Sequence, residues 1–244
     1  MTDLLPDAVI RYGDHELAVI DLHVPREPNG TLVVLVHGGF WKQAFDRTHT
    51  RAQARALAEA GFLVATPEYR RVGGGGGWPT TALDLEAAVN ALPGLLGGLD
   101  LTWDRVVLTG HSAGGHLVAW LLTRSLALEP DLVVPVAGVV DLALAEELGL
   151  GGNAVTRFLD GAELAEADPL TLLADPPGPV VRLLHGTEDD TVPVELSRRF
   201  VAAHPWAELV ELPGVGHFEF LDPGDPAFRV LESAVRSGGA RRPR

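Results

Sequence analysis

The chain has 244 residues, 46% of them hydrophobic, no cysteine and a formal net charge of −14, which is enough apolar chain to bury the core of one large α/β domain. The lack of cysteine excludes disulfides, thiolate metal ligands and a cysteine nucleophile, and the negative charge opposes close approach to nucleic acid or an anionic membrane surface. No apolar run approaches the ~20 residues of a membrane-spanning helix, and the start MTDLLPDAVIRYGDHE has neither the basic nor the apolar region of a secretory signal. The expectation is a cytoplasmic protein that acts on a small molecule without cofactor or metal, as a monomer or a homodimer, with no nucleic-acid or membrane partner.

AVIRYG and ELAVIDLHV, separated by DHE, predict an antiparallel hairpin at the start. From residue 31 strand-like and helix-like segments alternate, the pattern of a parallel sheet with helices on both faces. TLVVLVHGG is nearly all apolar, as a strand buried on both faces must be. RAQARALAEAG reads as a helix closed by Gly61, and FLVATPEYR as the next strand. After the glycine-rich loop 73–77, whose weak backbone constraint permits several conformations, TALDLEAAVNAL is expected to be a helix that stops at Pro93. RVVLTG, AGGHLVAWLLTRSLAL and DLVVPVAGVV then read as strand, helix, strand. The looser acidic stretch 141–175 is a small cap-like insertion with two short helices. PVVRLLHG, a helix from near Pro193, AELVELPG and DPAFRVLESAV complete the alternation. Residues 1–244 read as a single domain, with a frayed basic tail at about 237–244.

The chemistry concentrates where strands end. Gly110-His111-Ser112-Ala113-Gly114 matches G-x-S-x-G between a predicted strand and a predicted helix, the context in which small flanking residues allow a sharp turn and a projecting serine oxygen. A serine hydroxyl needs a base, and the base needs an orienting carboxylate. His217, in PGVGHFEF after a predicted strand, is placed to swing over the sheet edge. His116 falls one helical turn beyond Ser112 and points into packing, His111 belongs to the elbow, and His15, His23, His49 and His204 read as surface or packing residues. Among Glu188, Asp189, Asp190 and Asp141, Asp189 is preferred because it gives the chain order Ser, Asp, His; Asp190 is the second choice and Asp141 the third. HGTEDD resembles a metal cluster only if this strand-end context is ignored.

A tetrahedral oxyanion also needs donors. HGGFW, residues 37–41, leaves the first parallel strand with Gly38 and Gly39 small enough for a carbonyl oxygen to approach backbone N–H groups, and Ala113 N–H completes the set; His37 braces the loop. Phe40, Trp41, Trp78 and Phe218 either wall a substrate pocket or seal the core around the elbow, and Phe220 has the same two readings. Arg70 and Arg71 either receive a substrate carboxylate or form a surface pair.

With these residues the chain resembles an α/β-hydrolase from Leu32 to the final helix: a mostly parallel central sheet, an antiparallel N-terminal hairpin, helices on both faces and a small cap insertion. HGGFW with GHSAGGHL is similar to the kynurenine formamidase (arylformamidase) group. The chain also resembles small carboxylesterases related to the hormone-sensitive lipase and acetyl-esterase groups, and the catalytic modules of prolyl-oligopeptidase-like peptidases. The resemblance implies triad roles for Ser112, Asp189 and His217, oxyanion-hole roles for Gly38, Gly39 and Ala113, and cleavage of a small ester or formamide through an acyl-enzyme. A peptidase of that group normally carries a large additional domain, and a binding protein on an inactive scaffold would lack a triad member.

Overall fold

The structure, a computed structural model, describes residues 4–237; the stretch 238–244, where a flexible tail is expected, lies outside them. Strands β1 (Ala8–Arg11) and β2 (Val19–His23) pair antiparallel, and β2 runs antiparallel to β4 (Leu63–Pro67). The parallel part is built from β4, β3 (Thr31–Val36), β5 (Arg105–His111), β6 (Leu132–Val136), β7 (Val180–Gly186) and β8 (Glu208–Leu212), giving one eight-stranded sheet in the order β1-β2-β4-β3-β5-β6-β7-β8. β3 and β5 are neighbours in the middle, with Thr31 opposite Arg105 and Val36 opposite Gly110.

Helices α1 (Arg51–Glu59) and α9 (Pro226–Arg236) cover one face, and α2 (Thr80–Gly97) and α3 (Ala113–Leu121) the other. This explains the unbroken apolar run of β3. Leu32, Val34 and Val36 pack with α2 and α3, while Val33 and Leu35 pack with α1, so alternate side chains point into two different cores. Helix α8 (Glu195–Ala203) lies beside β7 and β8.

Two expectations change. Helix α2 runs through Pro93 to Gly97. The proline removes one N–H donor near the end of the helix, where Leu92 and Leu96, four residues apart, still bury on one face. The stretch 141–175 holds four short helices rather than two: α4 (Leu142–Glu147), α5 (Leu150–Leu159), α6 (Leu164–Ala167) and α7 (Pro169–Leu172). Asp141 and Asp168 cap α4 and α7 through Leu144 N and Leu170 N. Single turns such as α6 and α7 are too short to display a 3.6-residue period.

Candidate active site

β5 ends at His111, and α3 begins at Ala113, so the chain must reverse at Ser112, whose φ of 57° and ψ of −118° are strained for an L-residue. Such a backbone costs of order 1–3 kcal/mol and persists only where its surroundings hold it. Here Ser112 N–H donates to Val136 O at 2.8 Å, and Ser112 O accepts from Val139 N at 3.2 Å. A Cβ on Gly114 would strike the carbonyl oxygens of Val36 and His37, and one on Gly110 would strike Gly114 O. Close approach of backbone therefore requires both glycines of the motif. Ser112 does not cap α3 with its own side chain, which leaves the first N–H groups of the helix to other acceptors.

The 37–41 loop leaves β3 directly beside this turn: a Cβ on Gly38 would lie 3.1 Å from Ser112 Cβ. Behind it, His37 is wholly buried with Nε2 3.0 Å from Glu68 Oε1, and Tyr69 Oη donates to His37 O at 2.7 Å. Glu68 is ion-paired with Arg71 and accepts from Tyr69 N and Arg47 N. Burial, reinforced by the Arg71 charge, pushes His37 down to about 3, and the ring, set between Gly38 O at 2.9 Å and Glu68 Oε1 at 3.0 Å, serves as a brace.

His217 Nδ1 lies 2.7 Å from Asp189 Oδ2, while Asp189 Oδ1 accepts from Val192 N at 2.7 Å and Thr191 N at 3.0 Å. Burial alone would raise the Asp189 carboxyl, but hydrogen bonds from His185 and His217, with the His217 charge, hold it well below the usual carboxylate range. Of the four competing acids only Asp189 meets His217 in this way. Asp190 is exposed at the turn, and Asp141 caps α4 and pairs with Arg199 at 3.0 Å. The turn and the histidine loop are tied together: His111 Nε2 donates to His217 O at 2.8 Å, and the two rings lie 4.5 Å apart. Burial first, then the neighbouring His217, pushes His111 down to about 3.

The aromatic residues divide. Trp41 has no exposed surface; it stacks on Phe158 at 4.3 Å and meets His116 edge-on. Trp78 is half-buried and edge-on to Trp120, and Phe220 is buried in the core. Phe40 is half-buried against Gly151 at the start of α5, and Lys42 Nζ donates to Gly151 O at 2.7 Å. Phe218 is 62% exposed, at right angles to His217. A cleft of about 480 Å³ opens beside His217, lined by Phe218 and the carboxylates Glu188, Asp190, Glu219, Asp222 and Asp225. Arg70 and Arg71 are not a surface pair: Arg70 forks onto Asp84, and Arg71 is buried on Glu68. The 73–77 loop is pinned by a Lys42 to Val72 bridge and by Gly74 and Gly76 N–H groups on Arg71 O.

Sequence reasoning missed three supports. Glu68 and Tyr69 are visible only as PEYR at the end of a strand, a pattern that announces no partner. The third is His185, whose signal is the four-residue spacing to Asp189 at the end of β7. Among the described residues no group of three or more His, Cys, Asp or Glu is placed to hold a metal ion, and no helix is long and apolar enough to cross a membrane.

A model of the BD-FAE family matches residues 20–203. The chain belongs to the BD-FAE family. It is similar to esterase LipC of Mycobacterium tuberculosis, 26% identical over 87% of this chain and 60% of the relative. It is also similar to the probable carboxylic ester hydrolase LipM of the same organism, 29% identical over 82% and 52%. The chain thus spans little more than half the length of these curated relatives. Among solved structures, a truncated carbohydrate esterase from gut microbiota superposes with a TM-score of 0.82 at 18% identity, covering 98% of each chain. That likeness shows the fold, and the BD-FAE chain has the α/β-hydrolase architecture.

Proposed function

We propose that this BD-FAE chain is a cofactor-independent carboxylic ester hydrolase with Ser112 as nucleophile, His217 as general base and acid, and Asp189 as the carboxylate that orients His217. One observation carries the reading: the strained serine turn and a 2.7 Å His217–Asp189 hydrogen bond are joined by His111, which donates to His217 O. Ser112 Oγ attacks the ester carbonyl while His217 Nε2 takes its proton, and Asp189 stabilises the imidazolium through Nδ1–H. The oxyanion rests on backbone N–H groups of Gly38, Gly39 and Ala113. Collapse of the intermediate expels the alcohol, protonated by His217, and a water activated by the same histidine then releases the acid. The esterase names of LipC and LipM favour an ester over a formamide or peptide.

The test compares kcat/KM for p-nitrophenyl acetate and for N-formylkynurenine, with Ser112→Ala as control and a fluorophosphonate as active-site label. The reading expects acetate hydrolysis that falls by at least about 10³-fold in the variant, with labelling only of the parent. A formamide preferred over the ester would move the assignment to the arylformamidase activity. No turnover and no labelling would leave a binding protein on a hydrolase scaffold.

A further inference from the structure

His185 is wholly buried at the end of β7, four residues before Asp189. Its Nε2 lies 2.8 Å from Val192 O and 3.3 Å from Asp189 Oδ2, and its Nδ1 lies 2.7 Å from Ser197 Oγ on α8. Val192 O and Asp189 Oδ2 can only accept, so Nε2 carries the proton. In the neutral ring Nδ1 is then a lone pair, and the Ser197 hydroxyl donates to it. Ser197 is itself buried, which shields this arrangement from exchange with water.

We infer that His185 is a positioning residue for the hydrolysis proposed above: its Nε2–H holds Val192 O of the turn that carries Asp189 and sets its positive edge against Asp189 Oδ2, beside His217 Nδ1–H. The inference rests on the triad reading. It extends that reading with a Ser197–His185–Asp189–His217 chain running from α8 to the reacting histidine. A carboxylate offers about four lone-pair sites, and here three hydrogen bonds converge on them, Val192 N and Thr191 N on Oδ1 and His217 on Oδ2, with the Nε2 edge of His185 3.3 Å from Oδ2. Three hydrogen bonds and the His185 contact leave the carboxylate little freedom to turn about Cβ–Cγ. The second imidazole also draws part of the Oδ2 charge away from His217. Without it, the carboxylate turns more freely, and more of its charge falls on the remaining imidazole. The other titratable and charged groups around the pair are His111 from β5, His49 beside it, Glu211 of β8, which faces His185 and is paired with Arg198 of α8, and Glu188, Asp190, Glu219, Asp222 and Asp225 at the cleft. All of these are the same in parent and variants.

The test uses His185→Leu, His185→Gln and Ser197→Ala in the full chain. One readout is the downfield proton resonance of His217 Nδ1–H in water, which needs no substrate; the other is the pH profile of kcat and kcat/KM on the p-nitrophenyl ester. His185→Leu is expected to move the resonance, to shift the acid limb upward by about half a pH unit and to lower kcat on the order of 10-fold with KM within about twofold. Glutamine extends an amide N–H to a similar reach, so His185→Gln recovers most of the lost kcat and the parent resonance. Ser197→Ala, which removes the hydroxyl that anchors Nδ1 to α8 and so loosens the ring, falls between the two. A folded His185→Leu protein with an unmoved resonance and acid limb overturns the inference. If that variant does not fold, an unmoved resonance in Ser197→Ala does the same. Failure of the parent to hydrolyse any ester would sink the hydrolase reading, while the resonance would still decide whether His185 governs the Asp189–His217 bond.

Discussion

Lowering the pH from 7 to 5 tests the buried histidines, and His116→Gln isolates one of them. His37, His111 and His116 are each wholly buried and each pushed down, chiefly by burial, to about 3, about 3 and about 4. In the unfolded chain they return to 6.5. Between those values the unfolded state binds more protons than the folded one, so this stability is complete above pH 6.5 and is lost as pH falls through the window. At 1.36 kcal/mol per pH unit, each group loses about 2 kcal/mol between pH 7 and pH 5, and the three together about 6 kcal/mol. That matches a large part of the roughly 5–15 kcal/mol that holds a domain together. His23, His49 and His204 shift in the same direction, while Asp168, raised by burial, acts in the opposite sense and trims the sum. His116 Nε2 donates to Ala167 O at 2.9 Å, a bond that glutamine can keep without titrating. The assay is urea unfolding followed by tryptophan fluorescence at pH 5, 6 and 7. The parent is expected to lose several kcal/mol, and His116→Gln to lose about 2 kcal/mol less over the same interval. Parallel curves for the two proteins, or a parent at pH 5 within about 1 kcal/mol of its value at pH 7, would refute the reasoning.

Three further outcomes are expected. Gly39 has φ 108°, and a Cβ there would collide with the Phe45 side chain; Gly39→Ala should lower kcat/KM by about 10²-fold or more with an unchanged far-ultraviolet spectrum, and a loss under threefold would remove this residue from the oxyanion hole. Tyr69→Phe leaves the buried His37 carbonyl without its 2.7 Å donor, which should cost about 1–3 kcal/mol of stability and lower kcat more than it changes KM; an unchanged melting temperature would contradict it. The five carboxylates at the cleft should disfavour anionic esters: a hemisuccinate should react more slowly than the matching butyrate, with a gap that narrows in 0.5 M salt because screening shortens the Debye length. Equal rates at low salt would show that substrate does not pass this rim.

How far the sequence foretold the molecule depended on whether a feature is local. Strand β3 could be read because five consecutive apolar residues, Leu32 to Val36, admit few other fates, and the serine turn because glycine is forced on both sides of it by backbone contacts that recur with the motif. Asp189 could be preferred to Asp190 only by chain order, yet the fold separates them sharply: one side chain turns inward to His217 and the other outward to solvent. Trp41 could not be resolved from sequence, since a ring stacked on Phe158 requires residue 158 to fold back over residue 41. The Glu68–Arg71–His37 cluster was hidden for the same reason. Charged residues predict exposure on average, and only the tertiary pairing makes burial of Arg71 tolerable.

The pairing of β3 with β5 acts as a ruler for the chemistry. Six residue pairs run from Thr31–Arg105 to Val36–Gly110, and immediately beyond the last pair one strand releases the glycine loop and the other the serine turn. The distance between the proposed oxyanion donors and the proposed nucleophile is therefore graduated in units of strand register, about 3.3 Å per residue. A slip of one residue would separate the two by that amount and exchange the cores into which Val33 and Val34 point. Turnover, on this view, is a gauge of central-sheet alignment: a chain that recovers its helices but misaligns these two strands would look folded by circular dichroism and be inert.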